Sequence, residues 1–82
     1  MMAKHRVCVA WFEQDEPKER GFRVSYDDTW HARIRAAEVK AMNNCDAAEG
    51  VTVYSTSLDG ETTEGFWLWD ESKPGYEYNE LG

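Results

Sequence analysis

One stretch of helical period stands between two blocks of strand-forming residues, and this constrains the fold more than any other feature of the chain. At roughly 100° per residue, Trp30, Ile34, Ala37, Ala41 and Cys45 fall on a single stripe. Asp27, Asp28 and Thr29 precede it. All three are good N-cap types, and two carboxylates there suit the positive end of a helix dipole. The pattern predicts a helix from about 28 to 44. Ala37 and Ala41 are small enough to let it lie close to a sheet. Arg33, Arg35 and Lys40 fall off the stripe, and Val39 falls opposite it.

The flanking blocks read as strands. In HRVCVAWFE (5–13), Val7, Val9 and Trp11 alternate with Cys8, Ala10 and Phe12. Both faces are apolar, as in a central strand with cover on each side. QDEPKERG (14–21) is polar, with Pro17 and Gly21 as breakers, and reads as a loop joining a hairpin. FRVSY (22–26) then alternates with Phe22, Val24 and Tyr26 inward. After the helix, VTVYSTS (51–57) and TTEGFWLWD (62–70) are separated by Asp59-Gly60, a two-residue hairpin signal. Phe66 and Leu68 share one face of the last strand, and Trp67 and Trp69 share the other.

The reading is an α+β fold of order β-β-α-β-β. Two hairpins are joined by one helix packed on one face of an antiparallel four-stranded sheet, with strands near 5–13, 21–26, 51–57 and 63–70. A single domain is expected over residues 1–82, with the tail 72–82 either a short edge strand or a mobile end. At 41 % hydrophobic and 13 % aromatic residues the chain is too apolar for disorder. Four Trp, four Tyr and three Phe supply a core that 82 residues otherwise struggle to build. No apolar run approaches the roughly 20 residues of a membrane span. His5 and Arg6 interrupt the run a signal peptide needs, so the expected compartment is the cytoplasm.

Catalytic and metal chemistry find little footing. Cys8 and Cys45 read as small hydrophobes rather than a disulfide. His5 and His31 read as surface residues. These four have no paired ligand spacing for zinc. DGETTE (59–64) lacks the run of a calcium loop, and there is no Gly-rich phosphate loop. The chain is expected to be no enzyme and to carry no metal or cofactor.

Charge is divided unevenly. Residues 1–40 carry eight cations against seven carboxylates, whereas residues 41–82 carry Lys73 alone against nine carboxylates, so the net charge of −7 belongs to the second half. Such a surface repels phosphate and attracts basic partners. No direct nucleic-acid binding and no membrane partner are expected. Carboxylates on adjacent strands can stand where phosphates would on a duplex.

A single acidic domain of this size, built from HRVCVAWFE, FRVSY, the DDTWHARIRAAEVKAM helix and VTVYSTSLDGETTEGFWLW, resembles the small inhibitors encoded by phages, among them anti-CRISPR proteins and other host-takeover factors. The resemblance implies steric occupation of a nucleic-acid-binding surface on a larger complex, as a DNA mimic does. The expected partner-binding residues are Asp59, Glu61, Glu64, Asp70 and Glu71 on or beside the second hairpin, with Trp67 and Trp69 as anchors. The alternative is an interaction module whose Trp67/Trp69 face, with Tyr54 as cross-strand neighbour, pairs with another chain or with a second copy as a homodimer. Tyr76 and Tyr78 could instead fold over those tryptophans.

Overall fold

The computed structural model describes residues 5–47 and 50–81, so Lys4 and Glu49, counted in the charge balance, lie outside the described residues. Five strands and one helix follow in the order β1 (His5–Glu13), β2 (Glu16–Val24), α1 (Trp30–Asn44), β3 (Thr52–Thr56), β4 (Thr63–Asp70) and β5 (Gly75–Glu80). The α+β class and the single sheet-packed helix are as expected. The sheet, however, has five strands rather than four, all antiparallel, in the order β2-β1-β3-β4-β5.

The fifth strand is the C-terminal tail. It pairs with β4 so that Tyr78 lies opposite Trp67 and Tyr76 opposite Trp69. Burying the Tyr76 ring and laying the more exposed Tyr78 ring on Trp67 outweighs the entropy of ordering a short segment. Tyr76 is also fastened from the helix: His31 Nδ1 accepts its backbone N–H at 3.0 Å, and its hydroxyl donates to Glu38 Oε1 at 2.6 Å.

The first hairpin corrects the expected loop over 14–21. The chain turns on Gln14 and Asp15 alone, at φ 53° and 63°, and residues 16–21 already belong to β2. Two positive φ values are what a two-residue hairpin turn of the right twist requires, but Gln14 is ill suited to one. The compensation comes from far along the chain. The Asp46 carboxylate, just past the helix, accepts the N–H groups of Gln14 and Asp15, each at 3.1 Å. Its own N–H donates to Phe12 O. β2 is an edge strand, where Pro17 and charged residues are tolerated, so apolar alternation is missing from its first half.

The second turn is also longer than expected. Ser57 N–H donates to Thr62 O and Gly60 N–H to Ser57 O, closing a loop in which only Gly60 has positive φ, at 79°. The helix begins at Trp30 rather than 28. The Asp27 carboxylate accepts both the N–H and the hydroxyl of Thr29, holding this segment in a turn.

The core lies between α1 and one sheet face. Val7, Val9, Phe22, Val24, Val53, Trp30, Ile34, Ala41 and Tyr76 form it, with Trp11, Ala37, Val51, Trp67 and Trp69 packed around. Val39 stands exposed on the far side of the helix. Among the described residues no helix is long and apolar enough to cross a membrane.

Two substitutions test this account by thermal and chemical denaturation. Ile34→Ala empties a fully buried position and is expected to cost about 2–5 kcal/mol. Asp46→Ala leaves the turn N–H groups to water and the strained φ values unsupported; the expected loss is about 1–2 kcal/mol, with faster amide exchange at Gln14 and Asp15. An unchanged midpoint for Asp46→Ala would mean the turn holds itself.

Candidate functional site

The sheet order sorts the charges in space. β5 forms one edge and β2 the other, so the acidic second half of the chain occupies the β4–β5 side. The expected contact residues, however, do not form one cluster. β4 is eight residues long, which separates its ends by about 23 Å. Asp59, Glu61 and Glu64 stand at its start. Asp70 and Glu71 stand at its end, beside Lys73.

The two ends differ in character. At the far end, Asp70 Oδ1 accepts the hydroxyl and N–H of Ser72 at 2.6 and 2.9 Å, and Glu71 is paired with Arg35 at 3.4 Å. At the near end, Asp59 Oδ1 accepts the Ser57 hydroxyl and the Glu61 N–H. Glu61 and Glu64 are exposed and have no cation within ion-pair distance among the described residues. Glu80 joins them, because its register partner is Gly65 at the start of β4. Its role was not legible in the sequence, since it depends on β5 being a strand.

Trp67 and Trp69 face the helix, not solvent. Trp67 lies 4.7 Å from Trp30, 5.6 Å from Tyr26 and 4.5 Å from Tyr78, centroid to centroid. Trp69 lies 5.1 Å from Tyr76, with the Arg35 guanidinium 4.8 Å from its ring. The expectation that the tail folds over them holds, but it does so as a paired strand continuous with the main core. The cross-strand neighbour of Tyr54 is Phe66, not a tryptophan. Strand alternation is right in both readings; which face meets the helix is set by packing.

The sheet face without a helix carries Phe12, Tyr54, Phe66 and Leu68. Phe12, Phe66 and Leu68 are 56 %, 37 % and 62 % exposed. At its centre Cys8 is fully buried, beneath Glu19, Arg6 and Tyr54. Burial, and then the Glu19 carboxylate, raise the Cys8 thiol and push the Tyr54 hydroxyl up to about 12. Burial acts to raise Glu19 itself, but the Cys8, Tyr54 and Arg6 groups turned toward it outweigh that and lower it. A protonated thiol under a paired carboxylate is poorly nucleophilic. Both cysteines are free, Cys8 buried and Cys45 partly so. No group of three or more His, Cys, Asp or Glu among the described residues is arranged to hold a metal.

At the near end of β4 a groove of about 540 Å³ opens beside the helix N-terminus, lined by Tyr26, Trp67, Tyr78, Glu64 and Glu80 among others. Tyr26 sits at φ 49°, a backbone conformation costly for a bulky side chain. It lies two residues beyond β2, so the strand expected to 26 stops short of it, and its ring turns onto His5, stacked at 4.0 Å. The Trp67 indole N–H is buried with no acceptor among the described residues.

Compared with known protein families, curated proteins and solved structures, the chain matches none of them.

The turn carboxylates make a pH prediction. The Ser57 hydroxyl holds Asp59, and the Ser72 hydroxyl holds Asp70, below the ordinary value of 3.8. A folded-state value below the unfolded one gives stabilisation that is present above pH 3.8 and is lost as pH falls through the folded value. Melting temperature should therefore fall on acidification below about pH 4, and Ser57→Ala with Ser72→Ala should flatten that fall. An equally steep acid limb in the double variant would place its origin elsewhere.

Proposed function

We propose that this chain is a small, acidic, non-enzymatic inhibitor that acts in the cytoplasm by occupying a basic, nucleic-acid-binding surface of a larger protein complex. The observation that carries this reading is the grouping of Asp59, Glu61, Glu64 and Glu80 at one end of the β4–β5 edge. The Arg6 guanidinium lies beside Gly60 in this turn but is paired with Glu19, so the carboxylates keep a net negative local potential, which speeds encounter with a basic surface and sets its orientation. The Asp70 and Glu71 end makes a secondary contact, because its charges are partly answered by Arg35 and Lys73. Trp67 and Trp69 act beneath this surface by holding β4 against the helix. Direct nucleic-acid binding is disfavoured by the same charge that draws a basic protein.

The test pairs Glu61→Lys with Glu64→Lys. Both residues are exposed, so the fold should survive. Capture of nucleic-acid-binding proteins from lysate by the native chain should weaken about tenfold or more in the double variant, fall with rising salt, and be competed by DNA. Glu13→Lys with Glu16→Lys, at the β1–β2 turn on the opposite side of the sheet, should change little. Equal capture by both double variants would reduce the acidic edge to a solubilising surface, and a gel shift of DNA or RNA by the chain alone would overturn the mimicry.

The open sheet face supports a second reading, self-association. Its exposed Phe12, Phe66 and Leu68 are unusual on so acidic a chain. On that face Arg6 and Arg23 nearly offset Glu19, Asp70 and Glu77, so two copies could meet there without the repulsion of the edge. Leu68→Lys would abolish a dimer formed this way, whereas Glu61→Lys with Glu64→Lys would not.

A further inference from the structure

The groove at the start of β4 has the composition of a cation-binding site. Tyr26, Trp67 and Tyr78 form three of its walls. Their rings pack on one another, Trp67 at 5.6 Å and 63° to Tyr26 and at 4.5 Å and 44° to Tyr78, so what they offer the groove is their outer faces and edges. Glu64 and Glu80 stand on the same groove. Ring faces present negative potential, and two carboxylates at the rim add full charge to it. The chain invests in this arrangement. Tyr26 adopts positive φ, and Tyr78 lies so close over Gly65 that a Cβ there would come within 2.5 Å of its ring.

We propose that this groove is an aromatic cage for an alkylammonium group, presented as a lysine side chain by the basic partner. The ammonium sits against the Trp67 and Tyr78 rings with Glu64 and Glu80 beside it, and the methylene stem packs on Tyr26. This deepens the inhibitor reading by naming the chemical group that the acidic end selects. It is tested on the chain alone, so its failure and the failure of that reading are separable.

The experiment titrates the isotope-labelled chain, at constant ionic strength, with N-acetyl-lysine methylamide, its neutral counterpart N-acetyl-norleucine methylamide, and choline. The Trp67 indole N–H and the Tyr78 ring resonances should move with the lysine derivative, with an apparent affinity roughly fivefold or more above that for norleucine. Stronger binding of choline than of lysine would assign the cage to a free quaternary ammonium instead of a partner side chain. Tyr26→Asn removes one wall at a position where Asn tolerates positive φ, and should abolish the shifts. Glu80→Gln, on an exposed strand end, should weaken both cations severalfold and leave norleucine unchanged, and it serves should Tyr26→Asn fail to fold. Norleucine binding as well as lysine, a silent Trp67, or native binding by folded variants would each overturn the proposal.

Discussion

Trp30 joins the two halves of this molecule. It is the first residue of the helix, almost fully buried, and its ring meets His31 at 4.1 Å, Trp67 at 4.7 Å, Tyr26 at 5.1 Å and Tyr76 at 5.8 Å. One side chain thus ties the segment that follows the first hairpin, the helix, β4 and β5. Aromatic rings suit this task because each buries a large area with few rotatable bonds. In a chain whose surface-to-volume ratio allows only a thin core, such a hub substitutes for a second layer of helix. The position of Tyr26, and with it the geometry of the groove, follows from the packing around Trp30.

One helix covers one face of five strands, and this asymmetry organises the rest. The covered face takes Trp67, Trp69 and the tail tyrosines. The open face keeps Phe12, Phe66 and Leu68 in contact with water and buries Cys8 only beneath its own neighbours. The antiparallel order puts the acidic half at the β5 edge, away from Lys18, Arg20 and Arg23 on β2. Charge on β5 also discourages other strands from adding to that edge, so the same carboxylates that would attract a basic surface protect against sheet-to-sheet aggregation.

Tyr76 shows how the last strand is held to the rest. Its hydroxyl donates to Glu38, which also receives the Arg35 guanidinium at 2.8 Å, while Arg35 reaches on to Glu71. Burial, and next the adjacent Glu38 carboxylate, raise the Tyr76 hydroxyl well above its ordinary range, keeping it a donor. Backbone pairing with β4, ring packing on Trp30 and this polar link act on the same short segment, which explains why a tail rich in Glu, Asn and Gly is ordered.

The sequence by itself determined the periodic elements: the helix through its Trp30–Ile34–Ala41 stripe, β1 through its apolar run, and β3 and β4 through alternation around a turn at Asp59-Gly60. It also determined the division of charge, because that is a count along the chain. Three things only the tertiary structure decided. The first half of β2 is polar because an edge strand need not bury both faces, so it carries no pattern to read, and its turn depends on Asp46, over thirty residues away. β5 exists because two tyrosines find Trp67 and Trp69, a gain that local propensity does not contain. Which face of β4 turns inward is invisible in alternation, since Phe66/Leu68 and Trp67/Trp69 are both apolar. Contact with the helix breaks that tie in favour of the larger rings. The candidate site inherits this division: its carboxylates were visible as residues, but their separation into two ends, and the meeting of Glu64 and Glu80 with three aromatic rings, arise from strand register, which is a property of the folded sheet.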